Sequence, residues 1–131
     1  MPAHQSLRTR AGFTLVELLI VMVIIGLLAT IAIPKFAASK EKALLTAMKS
    51  DLRNLATREE TYAIENFGYT TTFPPTLYAV TTGVTGPTIA ITANGWTASV
   101  GHTGTTKTCA IFIGTTPLPP AVDEGVPRCT P

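Results

Sequence analysis

The sequence has almost nothing from which a reaction centre could be assembled. Past the first few residues its only histidine is His102, with no cysteine at metal-ligand spacing around it. There is no nucleophile elbow, no phosphate-binding glycine loop and no pair of carboxylates spaced for acid–base work. Asp123 and Glu124 are adjacent in a proline-flanked stretch, and two neighbouring carboxylates fall short of the six or more oxygens calcium takes. No catalytic residue, metal or cofactor is expected, and the chain is not expected to be an enzyme. Charge is equally scarce, at 14% of residues. Arg8 and Arg10 carry the whole excess of basic over acidic residues, so from Phe13 onward eight bases face eight acids. That balance leaves no clear nucleic-acid site.

Cysteine is limited to Cys109 and Cys129, both in the C-terminal part of the 131 residues. Beyond an apolar segment, such a pair suits an oxidising compartment. If bonded, it contributes on the order of 3 kcal/mol by loop closure. The alternative is a pair of buried reduced thiols. The aromatic residues Tyr62, Phe67, Tyr69, Phe73, Tyr78, Trp96 and Phe112 are sufficiently explained by helix packing and a sheet core.

What is present is hydrophobicity concentrated in one block. Leu18 to Ile33 is sixteen residues without a charge, eleven of them Leu, Ile or Val. Counted from Phe13 the block extends about 31 Å as a helix, enough to span a bilayer core. A head of this size could hardly enclose a rod apolar on all faces. The rival is a cleaved secretory signal, but the apolar region is long for one and Thr30-x-Ala32 is a poor cleavage site. Basic residues do not orient the segment, because Arg8 and Arg10 precede it while Lys35, Lys40 and Lys42 follow.

Glu17 is the one acid at the edge of this block. A lone carboxylate there needs a partner. A cut before Phe13 creates an α-ammonium four residues from Glu17, and the amine of one subunit could pair with Glu17 of the next. The plain alternative is an acid favouring the positive end of its own helix.

The run RTRAGFTLVELLIVMVIIGLLATIAIP closely resembles the leader and anchor helix of type IV pilins and type II secretion pseudopilins. The resemblance implies cleavage between Gly12 and Phe13 by a prepilin peptidase, N-methylation of Phe13, and an assembly role for Glu17. It implies a cytoplasmic leader, hence a single-pass precursor in the inner membrane with its C-terminus outside, held in lipid before assembly. From there it would pass through the inner-membrane pilus assembly machinery into an extracellular homopolymer of identical or related pilins. Gly26 and Pro34 fall where filament-forming relatives have helix-weakening residues. Proline removes the amide that would bond to Thr30, which allows a bend or local melting; alternatively it marks the membrane exit. The function expected is a structural subunit of a type IV pilus-like filament, the alternatives being a type II secretion pseudopilin, a minor pilin, or a tethered domain that never polymerises.

Beyond Pro34 the pattern becomes amphipathic. Leu44, Met48, Leu52, Leu55 and Tyr62 form one helical stripe, with Lys42, Lys49, Arg53, Glu59 and Glu60 assigned to the solvated face and Asn66 and Gly68 as the stop. Thr88–Ala93 and Trp96–His102 read as strands around an Asn94-Gly95 turn, Gly104 sits in a second turn, and Thr108–Gly114 is the next strand. Along it Cys109, Ile111 and Ile113 face one way and Ala110 and Phe112 the other. A short edge strand is expected around Leu77–Thr82. The proline-rich tail cannot be a central strand; a Cys109–Cys129 bond would pin it to the sheet as a loop, resembling the disulfide-bounded region of many pilins. That loop is the expected contact face on the filament surface, unless it only stabilises the head. The expected organisation is a leader over 1–12, a membrane and polymerisation helix over 13–34, an amphipathic continuation over 35–67 and a β-rich head over 68–131. The expected fold is α+β, a long helix packed on a small antiparallel sheet.

Overall fold

The computed structural model describes residues 12–131, so Arg8 and Arg10 lie outside the described residues. Two compact units meet at Ala37/Ala38, and helix α1 (Leu15–Asn66) contributes to both. In the first unit none of the residues 12–37 is buried, and side chains such as Leu19, Ile25 and Leu28 keep more than half of their surface exposed. Its most apolar 18-residue window has a mean hydropathy of 2.8. Long apolar side chains favour helix here, and α1 runs without interruption through Gly26 and Pro34.

The second unit is built as the stripe requires. Met48, Leu52 and Leu55 are fully buried against Val84, Trp96, Ala98, Val100, Cys109 and Ile111. Burying a side chain of this size contributes about 1.5–3 kcal/mol, so this face outweighs the weak intrinsic propensity of the helix. The sheet is antiparallel in the order β1 (Val84–Thr92), β2 (Gly95–His102), β3 (Thr105–Ile113) and β4 (Arg128–Cys129).

Several expectations need correction. No strand forms at Leu77–Thr82. The amide and hydroxyl of Thr81 donate to the Asp51 carboxylate at 2.8 and 2.9 Å, and Leu77 and Tyr78 turn back on the Pro74 carbonyl. The fourth strand comes instead from the last residues of the tail, as an edge. Strand β1 starts four residues earlier than its alternation indicates, because Gly86-Pro87 is accommodated in a bulge on an edge strand, where proline needs no ladder partner. The hairpin loop is Ala93-Asn94, one residue before the Asn94-Gly95 signal, since Thr92 already pairs with Gly95. Gly95 is needed inside the strand: a Cβ there would overlap the Ile113 carbonyl.

Glu59 is fully buried rather than solvated. Its position explains this, for it fills the seven-residue gap between Leu55 and Tyr62 and so lies on the apolar stripe itself. Helix α1 ends at Asn66, within the expected stop, although the left-handed residue that follows is not the glycine. Phe67 takes the left-handed conformation, φ 56°, while the Asn66 side-chain amide donates to the Tyr62 carbonyl, one of the last-turn acceptors.

Candidate functional site

The start of α1 carries the residues that the sequence singles out. Gly12 has open space around its Cα, and Phe13 is 80% exposed. Thr14 donates to Glu17 Oε2 twice, from its amide at 2.8 Å and from its hydroxyl at 2.6 Å. In return, the Glu17 amide donates to the Thr14 hydroxyl at 3.3 Å. This is a reciprocal capping box, with Thr14 as N-cap and Glu17 three residues in. The two amide bonds each satisfy a donor that the first helical turn leaves without a partner. Thr14 escaped the sequence reading, although Thr-x-x-Glu before an apolar run is the signature of this cap. Its own chain thus holds Glu17 by hydrogen bonds, which orient the charge without cancelling it.

The cysteines are joined. Cys109 of β3 faces Cys129 of β4, and the two form a disulfide. The tail preceding Cys129 lies on the sheet face opposite α1, where Leu118 and Ala121 cover Ala110 and Phe112. It is held there by polar contacts as well. Gly125 donates to the Phe112 carbonyl, the Gly114 amide donates to Glu124 at 2.7 Å, and Arg128 pairs with Asp123 at 2.6 Å. Both carboxylates are thus engaged by the fold, and no group of three metal-ligating side chains occurs among the described residues. The ring of His102 accepts a hydrogen bond from the Gly104 amide at 2.9 Å across the β2–β3 turn.

Two buried acids of α1 tie down the segment that connects helix to sheet. Asp51 receives Thr81, and its backbone carbonyl accepts the Tyr78 hydroxyl at 3.0 Å. Burial, reinforced by the Asp51 charge, pushes the Tyr78 phenol up to about 12. Glu59 accepts the Thr70 amide at 3.1 Å through Oε2, while its Oε1 is buried without a partner. Burial raises its carboxyl above the ordinary range, opposed by the Thr70 bond and helped by the Glu60 charge.

That shift has a sign in stability. A carboxyl raised on folding contributes stability below its unfolded value and loses it as pH rises through the folded one. Glu59→Gln keeps an acceptor for Thr70 and removes the charge. The variant is expected to melt several degrees above the wild type at pH 7, on the order of 1 kcal/mol. Below pH 4 the gap should close. Thermal melts across that range measure it, and identical curves at pH 7 would count against a strained Glu59.

Most aromatic residues pack as expected, with Tyr62 edge-on to Phe73 and Tyr69 tilted against Trp96. Phe67 does not; its side chain is 97% exposed.

Residues 7–33 match a family model described as the prokaryotic N-terminal methylation motif. Across 124 residues the chain is 32% identical to the type IV wide pilus major component PilA4 of Thermus thermophilus, covering 92% of this chain and 88% of that one. It is also 35% identical over 65 residues to the type II secretion system core protein G of Pseudomonas aeruginosa, and 41% identical over 61 residues to that of Escherichia coli. Those two alignments cover 50% and 47% of this chain. The chain spans less than half the length of either secretion protein, 46% and 42%.

Proposed function

Because the chain belongs to the type IV pilin family, we propose that it is a structural subunit of a type IV pilus, made as a precursor, cut between Gly12 and Phe13, and N-methylated at Phe13. The observation that carries this reading is the extent of the likeness to a pilus component, which takes in anchor and head together. The unburied apolar start of α1 supports it physically, since an 18-residue stretch of mean hydropathy 2.8 must be covered by lipid or by its own kind. The leader stays in the cytoplasm and the disulfide-bonded head stands outside the inner membrane, where oxidation is possible. The subunit leaves the bilayer through the pilus assembly machinery and joins copies of itself or related pilins, its apolar helix exchanging lipid for neighbouring helices. The amine of Phe13 then meets Glu17 of an adjacent copy. Gly26 and Pro34 supply the places where α1 bends or loosens on packing. The tail loop, pinned by Cys109–Cys129, lies on the filament exterior. A type II secretion pseudopilin is the second reading, favoured by the likeness to the core G proteins over half of the chain.

Mass spectrometry of subunits from sheared surface filaments tests the processing. A methylated Phe13 start, leaving 119 residues, is expected. An intact Met1 or a start near Ile33 would refute it. Deletion of the gene separates the two readings, because long fibres vanish if the chain is the major pilin and persist if it serves secretion.

A further inference from the structure

The C-terminal turn of α1 holds a bulky residue in a conformation that suits glycine. Phe67 is the only non-glycine residue with positive φ among the described residues, and glycine is the next residue in the chain. An aromatic side chain in the left-handed region is strained, and strain of this kind marks a position for scrutiny when the surroundings give nothing back. Here they give nothing back, for the ring is 97% exposed and Ile64, three residues earlier, is 78% exposed.

The same unit carries a second uncovered feature. A groove of about 390 Å³ opens between the connecting segment and β1, walled by Phe73, Pro75, Tyr78, Val80, Pro87 and Ile89. No charged side chain lines it. Its volume is at the lower end of clefts that enclose small ligands, roughly 300–1,000 Å³, which leaves room for one aromatic side chain. The rings of Phe73 and Tyr78 already stand tilted at 56° with centroids 6.2 Å apart, an arrangement that favours a further ring set edge-on. The wall is held in place beforehand, because Asp51 fixes both Tyr78 and Thr81.

We propose that Phe67 of one subunit inserts into this groove of a neighbouring copy, forming a contact between heads that adds to the packing of the apolar helices. The inference rests on the filament reading above. A second copy is the occupant that fits, since knob and groove are different patches of one chain and both are uncovered. Contacts between unlike patches extend a filament wherever the repeated rotation does not close a ring. The groove offers only apolar walls and threonine hydroxyls, so an aromatic ring enters without stranding a buried charge.

The test uses the full chain in its own filaments, with photoreactive benzoylphenylalanine replacing Phe67. Irradiation is expected to give a ladder of multimers, cross-linked to peptides from residues 71–89. Multimers linked elsewhere, adducts only with lipid or another protein, or no cross-link at all overturn the contact while leaving the filament reading intact. Absence of the chain from filaments overturns both. Phe67→Gly provides the second arm, because glycine suits the left-handed turn. The variant in detergent is expected to melt at or above the wild-type temperature and to yield at least tenfold fewer filaments. Wild-type filament yield from Phe67→Gly would overturn the proposal.

Discussion

Glu17→Gln is expected to stop filament incorporation as completely as Glu17→Ala. The two substitutions separate the cap that Glu17 forms on its own helix from the proposed pairing with a neighbour. Glu17 accepts hydrogen bonds from both donors of Thr14, and a glutamine carbonyl can accept the same two. If the cap on its own helix were all that mattered, Glu17→Gln would assemble normally and Glu17→Ala would lose about 1 kcal/mol of helix stability. The charge matters differently. In the proposed pairing, a carboxylate facing the Phe13 ammonium of the next subunit in an apolar bundle loses its purpose when neutralised, and the amine is left buried without a partner. Removing one member of such a pair costs about 3–5 kcal/mol, a thousandfold or so in association at each contact. A polymer repeats that contact at every subunit. Filament yield in sheared fractions, with immunoblotting for cleaved subunit in the membrane, reads the result. Cleaved but unassembled protein is expected in both variants, and filaments from Glu17→Gln at the wild-type level would leave the capping role alone standing.

Gly95→Ala is expected to be the most destabilising single-methyl change in the head. At this position the backbones of β2 and the end of β3 approach so closely that a Cβ overlaps the Ile113 carbonyl. The crowding is mutual, since a Cβ on Gly114, itself at φ 99°, would overlap the carbonyl of Asn94. A side chain can swing away from an added methyl, whereas a carbonyl in a sheet ladder cannot do so without breaking its hydrogen bonds. Overpacking of flexible groups costs about 1–3 kcal/mol, so a backbone clash belongs at the upper end or beyond. For a unit of this size each kcal/mol lowers the melting temperature by roughly 4–8 °C. A fall of more than about 10 °C is therefore expected, seen by circular dichroism. Trp96, fully buried next to Gly95, offers a fluorescence readout of the same transition. A melt within two degrees of the wild type would mean that the sheet yields there easily.

Most of the architecture is legible in the sequence. Hydrophobic length alone marks the first half of α1, and the four-, four- and three-residue spacing of Leu44, Met48, Leu52 and Leu55 marks the packed face of the second. Alternation along β3 correctly sorts Cys109 and Ile111 from Ala110 and Phe112. The misreadings share a cause. Polar residues were placed by their chemistry, which sent Glu59 to solvent although its spacing set it on the stripe. Turn and strand signals were read locally, which misplaced the hairpin by one residue and turned Leu77–Thr82 into a strand.

At the candidate site, the spacing of Gly12, Phe13 and Glu17 is visible in the sequence because it is local in the chain, and it lies within the residues that match the methylation motif. The Thr14 cap was equally local and was overlooked. By itself the sequence determined the things that depend on neighbours along the chain, namely the anchor, the helical stripe and the alternating strands. Only the tertiary structure decided which distant groups meet. It joined Asp51 to Thr81 and Glu59 to Thr70, laid the proline-rich tail over Ala110 and Phe112, and left Phe67 outside. The contacts depend on a donor, acceptor or apolar face supplied from another part of the chain, Phe67 finds none, and no local period records such a partner.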